Sequence, residues 1–131
     1  MLLSSATASL AQAIVAGTFT PLNNTNAKIG VGDSTTAAAK TQTDLQASTN
    51  KTYIGQDASY PSVSGSVILF QITAGAAVAN YVWNEFLICD AAPGNAWARF
   101  VQPLNGGVAK APGQSWTLQV AATVGRNDVA N

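Results

Sequence analysis

Asn80-Tyr81-Val82-Trp83-Asn84-Glu85-Phe86-Leu87-Ile88-Cys89-Asp90, followed by Ala91-Ala92-Pro93-Gly94-Asn95, is the stretch on which the fold turns. Its aromatic and branched residues favour a pleated strand over a helix. A period of two puts Tyr81, Trp83, Leu87 and Cys89 on one face and Val82, Phe86 and Ile88 on the other. Residues 91–95 form a turn signal, and Ala96 to Gln102 returns as a second strand, so the two make a hairpin.

On the C-terminal side, Asn105-Gly106-Gly107 and Pro112-Gly113 punctuate a loop. Trp116, Leu118, Val120, Ala122 and Val124 then alternate with Thr117, Gln119, Ala121 and Thr123, the period of a strand with one wetted face. On the N-terminal side, Val63 to Thr73 carries the strand-forming run Val67-Ile68-Leu69-Phe70-Gln71-Ile72, and Gly75 to Ala79 is a small-residue turn. Ala27-Lys28-Ile29-Gly30-Val31-Gly32 alternates apolar with small or polar residues and is predicted as the first strand. Asp33-Ser34-Thr35 is placed to cap a short helix over the Ala-rich residues 36–47. Residues 48–62 are loop-like, with a short strand at Thr52-Tyr53-Ile54. Strands at this spacing predict a mainly β fold, an antiparallel β-sandwich of jelly-roll or immunoglobulin-like type, over residues 27–131.

Residues 1–26 precede it as an N-terminal arm. Leu3, Leu10 and Ile14 fall near one helical face, so residues 3–16 make either a short amphipathic helix capped by Ser4 or Ser5, or an extended segment, ended by Gly17. An arm with so little core of its own is expected to be held by a partner or a sister subunit.

Composition narrows the function. Of 131 residues 47% are hydrophobic and 9% charged; six Lys+Arg balance six Asp+Glu, and histidine is absent. A typical soluble domain is about 25% charged, and a neutral, charge-poor surface favours association with copies of itself or a partner. Six scattered cations assemble no nucleic-acid patch. The opening residues lack a basic signal-peptide start, so the mature protein is expected to begin at Met1, and no window is long and apolar enough to span a membrane. Without His, the commonest general base and metal ligand is missing, and the single Cys89 forms no Cys-rich zinc site and is read as a small buried hydrophobe.

Gly30-Val31-Gly32-Asp33-Ser34-Thr35 lacks the Gly-Lys-Ser/Thr ending of a phosphate loop and reads as a strand leaving its sheet. Glu85, inside the most apolar strand, must be paired; the candidates are Arg99, Lys110, backbone N–H groups or a subunit contact. Catalysis would require Asp33, Asp44, Asp57, Glu85 or Asp90 to converge in one pocket. Trp83, Trp97 and Trp116 lie in strands that supply the core, with a sugar-stacking platform as the alternative role. No metal or cofactor is expected.

The order of segments carries a resemblance. Lys28-Ile29-Gly30-Val31-Gly32-Asp33-Ser34-Thr35 precedes Thr41-Gln42-Thr43-Asp44-Leu45-Gln46; then come Tyr60-Pro61, Ala79-Asn80-Tyr81-Val82-Trp83-Asn84-Glu85-Phe86, and Lys110 ahead of Gln114-Ser115-Trp116-Thr117-Leu118. Over residues 27–124 this resembles small virion structural proteins of tailed bacteriophages, with their "GVG(D/T)ST…TDL" start, "AN-x-x-W-x-E" strand and "K…Q-x-W-x-L" final strand. Phe86-Leu87 departs from the pattern, standing where a small Gly is often found. The resemblance implies a capsid cement or decoration protein, made in the host cytoplasm and mounted on the outer shell as a homotrimer against the major capsid protein, its arm reaching the capsid or a neighbouring subunit. The other role it implies is a tail-fibre, collar or baseplate module. Under either reading Leu3, Leu10, Ile14, Trp83, Glu85, Trp97, Lys110 and Trp116 are the candidate structural and interface residues.

Overall fold

The computed structural model describes residues 1–17, 20–90 and 96–124. One helix, α1 (Ser4–Ala16), precedes seven strands: β1 (Ala27–Gly32), β2 (Lys51–Gly55), β3 (Ser62–Ser64), β4 (Val67–Ala74), β5 (Glu85–Asp90), β6 (Ala96–Val101) and β7 (Trp116–Thr123). They form two antiparallel sheets, ordered β2-β1-β5-β6 and β3-β4-β7. The division into four and three strands is that of an immunoglobulin constant-type sandwich, with a strand order of its own.

The facing sides share one core: Ala27, Ile29, Val31, Phe86, Ile88 and Ala98 from the larger sheet meet Phe70, Ile72, Ala74 and Val120 from the smaller. The larger sheet is also covered on its other side, where Leu87 and Cys89 pack under Leu3, Leu45 and Ala96. All six residues of β5 are therefore buried. Burial on both faces explains its unbroken apolar run, since a strand with one wet face would alternate.

β1 shows what the cover demands. Ile29 and Val31 face the shared core, whereas Gly30 and Gly32 face the covering layer. A Cβ at Gly30 would lie 2.9 Å from Leu45 Cδ1, and one at Gly32 would lie 2.5 Å from Glu85 Oε1. The glycines are the gaps that let the cover sit directly on the sheet.

The helix predicted over 36–47 is absent; those residues are irregular, with one turn at Lys40-Thr41. Their side chains satisfy the backbone locally and so compete with a helical ladder. Ser34 Oγ accepts from Thr36 N–H, Gln42 Oε1 from Ala39 N–H and Asp44 Oδ1 from Leu45 N–H, while Gln42 Nε2 donates to Ala37 C=O. The helix forms in the arm instead. Ser4 and Ser5 do not cap it: Leu3 is the N-cap, Ser4 N–H donates to Lys40 C=O, and the Ser5 hydroxyl donates to Ala96 C=O. Gly17 ends it in the left-handed region.

The start of the arm is held by the chain itself. Leu2 bridges Ala98, Met1 and Arg99 exchange backbone hydrogen bonds of 2.8 and 2.9 Å, and Leu3 N–H donates to Trp97 C=O, so residues 1–3 cover the outer edge of β6. Two strands are also shorter than their apolar runs. Residues 63–73 break at Gly65, whose φ of 59° turns the chain from β3 into β4. Residues 80–84 leave the sheet, which swings Tyr81 and Trp83 into the inter-sheet core beside Phe86 and Ile88, opposite to the faces that strict alternation assigns. The turn expected at 91–95 lies outside the described residues.

Gly32→Ala places its new methyl against a locked carboxylate and is expected to destabilise the fold by about 2 kcal/mol. Gly55→Ala, with open space around its Cβ position, should cost far less. Urea unfolding of the two variants checks the contrast.

Candidate functional site

The largest concentration of polar chemistry sits where the covering layer meets β5 and β6. Glu85 on β5 and Arg99 on β6 are diagonal neighbours, Glu85 lying opposite Val101 and Arg99 opposite Leu87, and both are fully buried. Arg99 Nε donates to Glu85 Oε2 at 2.8 Å, and Nη2 lies 2.6 Å from the same oxygen. The carboxylate also accepts from Gln46 N–H (3.1 Å to Oε1, 3.0 Å to Oε2) and from Ala47 N–H at 2.9 Å. Arg99 Nη1 donates onward to Gln42 Oε1 at 3.0 Å. Of the partners expected for Glu85, Arg99 and backbone N–H groups are the ones present.

Lys110 is elsewhere. It is buried, and its Nζ donates to Gly75 C=O and to Asn80 Oδ1, each at 2.7 Å. Its backbone N–H reaches Tyr81 C=O. The lysine thus ties the loop before β7 to the turn before β5, a contact that a strand over residues 80–84 does not predict.

The tryptophans do not share an exposed face. Trp83 is buried, its indole N–H donating to Ala79 C=O at 2.9 Å, and Trp116 meets it edge-on with centroids 5.1 Å apart. Trp97 donates to Asp90 Oδ2 at 3.1 Å. An open groove of about 420 Å³ beside Trp116 is lined also by Leu104, Asn105, Thr117 and Leu118. Of the arm residues, Leu3 is buried, whereas Leu10 is 42% and Ile14 83% exposed.

The carboxylates are dispersed, each in its own contact. Asp33 accepts from Asn50 Nδ2, Asp44 from the Tyr53 hydroxyl with Lys51 Nζ 3.7 Å away, and Asp57 from Gln71 Nε2 and the Thr73 hydroxyl. Among the described residues no three of Cys, Asp and Glu come together as a metal site. No helix there is long and apolar enough to cross a membrane. Chemically, this arrangement cross-links loops to strands. No family model, no curated protein and no solved structure matches the chain.

Cys89 is buried beneath the cover, and desolvation pushes its thiol up to about 12, with Asp44 and Asp90 adding to the shift and Lys28 opposing it. Desolvation raises the Tyr53 and Tyr81 hydroxyls as well.

Two outcomes are expected. Arg99→Met strands a buried carboxylate and should cost about 3–5 kcal/mol, whereas Glu85→Leu combined with Arg99→Met removes both charges and should recover much of that loss; denaturant melts of the single and double variants check it. A thiol whose folded pKa lies above its unfolded value of about 8.5 holds its proton more tightly in the native state. The stability this supplies is complete below about pH 8.5 and is lost as pH rises toward about 12. Cys89→Ala should therefore flatten the alkaline decline of the urea midpoint.

Proposed function

We propose that this chain is a structural protein of a bacteriophage virion, a cement or decoration protein that binds the outer shell and acts through subunit contacts rather than catalysis. The observation that carries this reading is the display of α1. Its first turn is pinned to β6, and from that anchor it presents Ile14 and Val15, 83% and 87% exposed, the two most exposed large apolar side chains among the described residues. Isolated exposed apolar residues need no explanation; adjacent ones on a clamped helix, in a chain with 9% charged residues, suit a surface that another protein covers.

The polar residues of the phage-like pattern fit the same reading. Asn80, Glu85 and Lys110 are engaged in holding loops, so the pattern encodes a rigid scaffold. Binding to the assembled shell in preference to its free subunits would stabilise the shell by mass action. The partner is then the major capsid protein, and the site of action the capsid surface.

Copy number in purified particles tests the assignment. Quantitative mass spectrometry against the major shell protein should give a large fixed ratio. A few copies per particle would favour the tail-fibre, collar or baseplate role and a search for a host-surface ligand at the Trp116 groove, and absence from particles would end both readings. The docking face is tested separately by Ile14→Asp with Val15→Asp, expected to lower particle occupancy at least tenfold with an unchanged circular dichroism spectrum. Deleting residues 1–20 is no substitute, because Leu3 and Ala6 belong to the buried interior.

A further inference from the structure

We infer that two copies of this chain associate through β7, edge to edge, to make one continuous six-stranded sheet across a two-fold axis. The inference stands on the edges of the sandwich and does not depend on the virion reading.

A sheet edge exposes unpaired N–H and C=O groups, and folded proteins blunt such edges with covering segments, short strands, charged residues, proline or bulges. Three of the four edges here are blunted. β6 is covered by residues 1–3, β3 is three residues long, and β2 is five residues long and opens with Lys51. β7 is the exception. It runs for eight residues, Trp-Thr-Leu-Gln-Val-Ala-Ala-Thr, with no charge, no proline and no break in its register against β4. Among the described residues nothing pairs with its outer side.

The register shows which groups are free. Val124 N–H donates to Ser66 C=O at 2.7 Å, continuing the β4–β7 ladder, so the even-numbered residues of β7 bond to β4. The alternation then turns the N–H and C=O of Thr117, Gln119, Ala121 and Thr123 outward, and all four residues are exposed. On β4 the opposite residue, Gln71, likewise points its backbone away from β7, accepting from Asp57 N–H and donating to Gln56 Oε1.

A second copy fits this edge. With the two-fold at Val120, Gln119 lies opposite Ala121 of the second copy and Thr117 opposite Thr123, each pair exchanging both backbone bonds. The same register keeps the core faces together: Val120 meets its equivalent, Leu118 meets Ala122, and the half-exposed Val124 comes beside Trp116 at the mouth of the open groove. No charge opposes another anywhere along the seam, as a self-pairing strand requires. A partner strand bearing charges would find no complement here. The contact closes on two copies, unlike the trimer implied by the resemblance.

One ladder lies at the small end of stable interfaces, so association is expected on the order of 10 µM. Sedimentation velocity over about a hundredfold range around that value, with amide hydrogen exchange on the same samples, tests it. The expected result is a monomer–dimer equilibrium in which the amides of Thr117, Gln119, Ala121 and Thr123 slow at least tenfold as concentration rises. Ala121→Lys should weaken the dimer at least tenfold without altering the circular dichroism spectrum. Ala121→Pro should do the same, because the N–H it removes does not serve the β4 ladder; if that variant does not fold, the lysine variant decides. A monomer at all concentrations, a dimer indifferent to Ala121→Lys, or exchange at these four amides that does not depend on concentration would overturn the proposal.

Discussion

A carboxylate withdrawn from water loses several kcal/mol of hydration that only close partners can offset, and in this protein the partners of Glu85 come from otherwise separate parts of the chain. Arg99 approaches from β6, while the amides of Gln46 and Ala47 approach from a segment with no regular structure. Arg99 in turn reaches Gln42 with its side chain and Met1 with its backbone. One buried pair thus fastens the covering loop and the N-terminal segment to the hairpin they cover. Gly32 supplies the space in which the carboxylate lies.

This geometry makes the covering layer part of the fold. Residues 33–50 hold no helix or strand, yet Leu45 and Ala47 are buried as deeply as core residues. Hydrophobic burial by Leu45 against Leu87 and the amide contacts at Gln46 and Ala47 act on the same few residues, so loss of either should loosen the other. The result is a three-tier arrangement: the cover, the four-stranded sheet, then the three-stranded sheet. The Lys110 contacts play a parallel part at the other end, joining the 75–80 turn to the loop before β7.

Much of this was legible in the sequence, and the failures share a cause. β1, β6 and β7 were readable because alternation or turn residues bound them, and Glu85 announced its need for a partner by standing in an apolar run. Arg99 was a candidate on charge alone. What sequence periodicity could not show was the covering layer. Ala-rich residues 36–47 suited a helix by propensity, but Ser34, Gln42 and Asp44 offered their backbone nearer partners, and Glu85 took the last amides. The strand expected over 80–90 lost its first half because Ala79 turns through a φ of 54° and Lys110 anchors Asn80, a contact 30 residues away in sequence. Gly30 and Gly32 were the clue to the cover: small residues on the outward face of a strand mark a close approach.

The central claim is that Glu85 locks an irregular segment to the sheet, and native-state hydrogen exchange at Gln46 and Ala47 tests it most directly. Loop amides ordinarily exchange through local fluctuation, whereas amides held by the core open only with the whole molecule. The account expects Gln46 and Ala47 to exchange at the rate set by global unfolding, together with the amides of β5. Fast exchange at these two positions, while β5 remains protected, would contradict it.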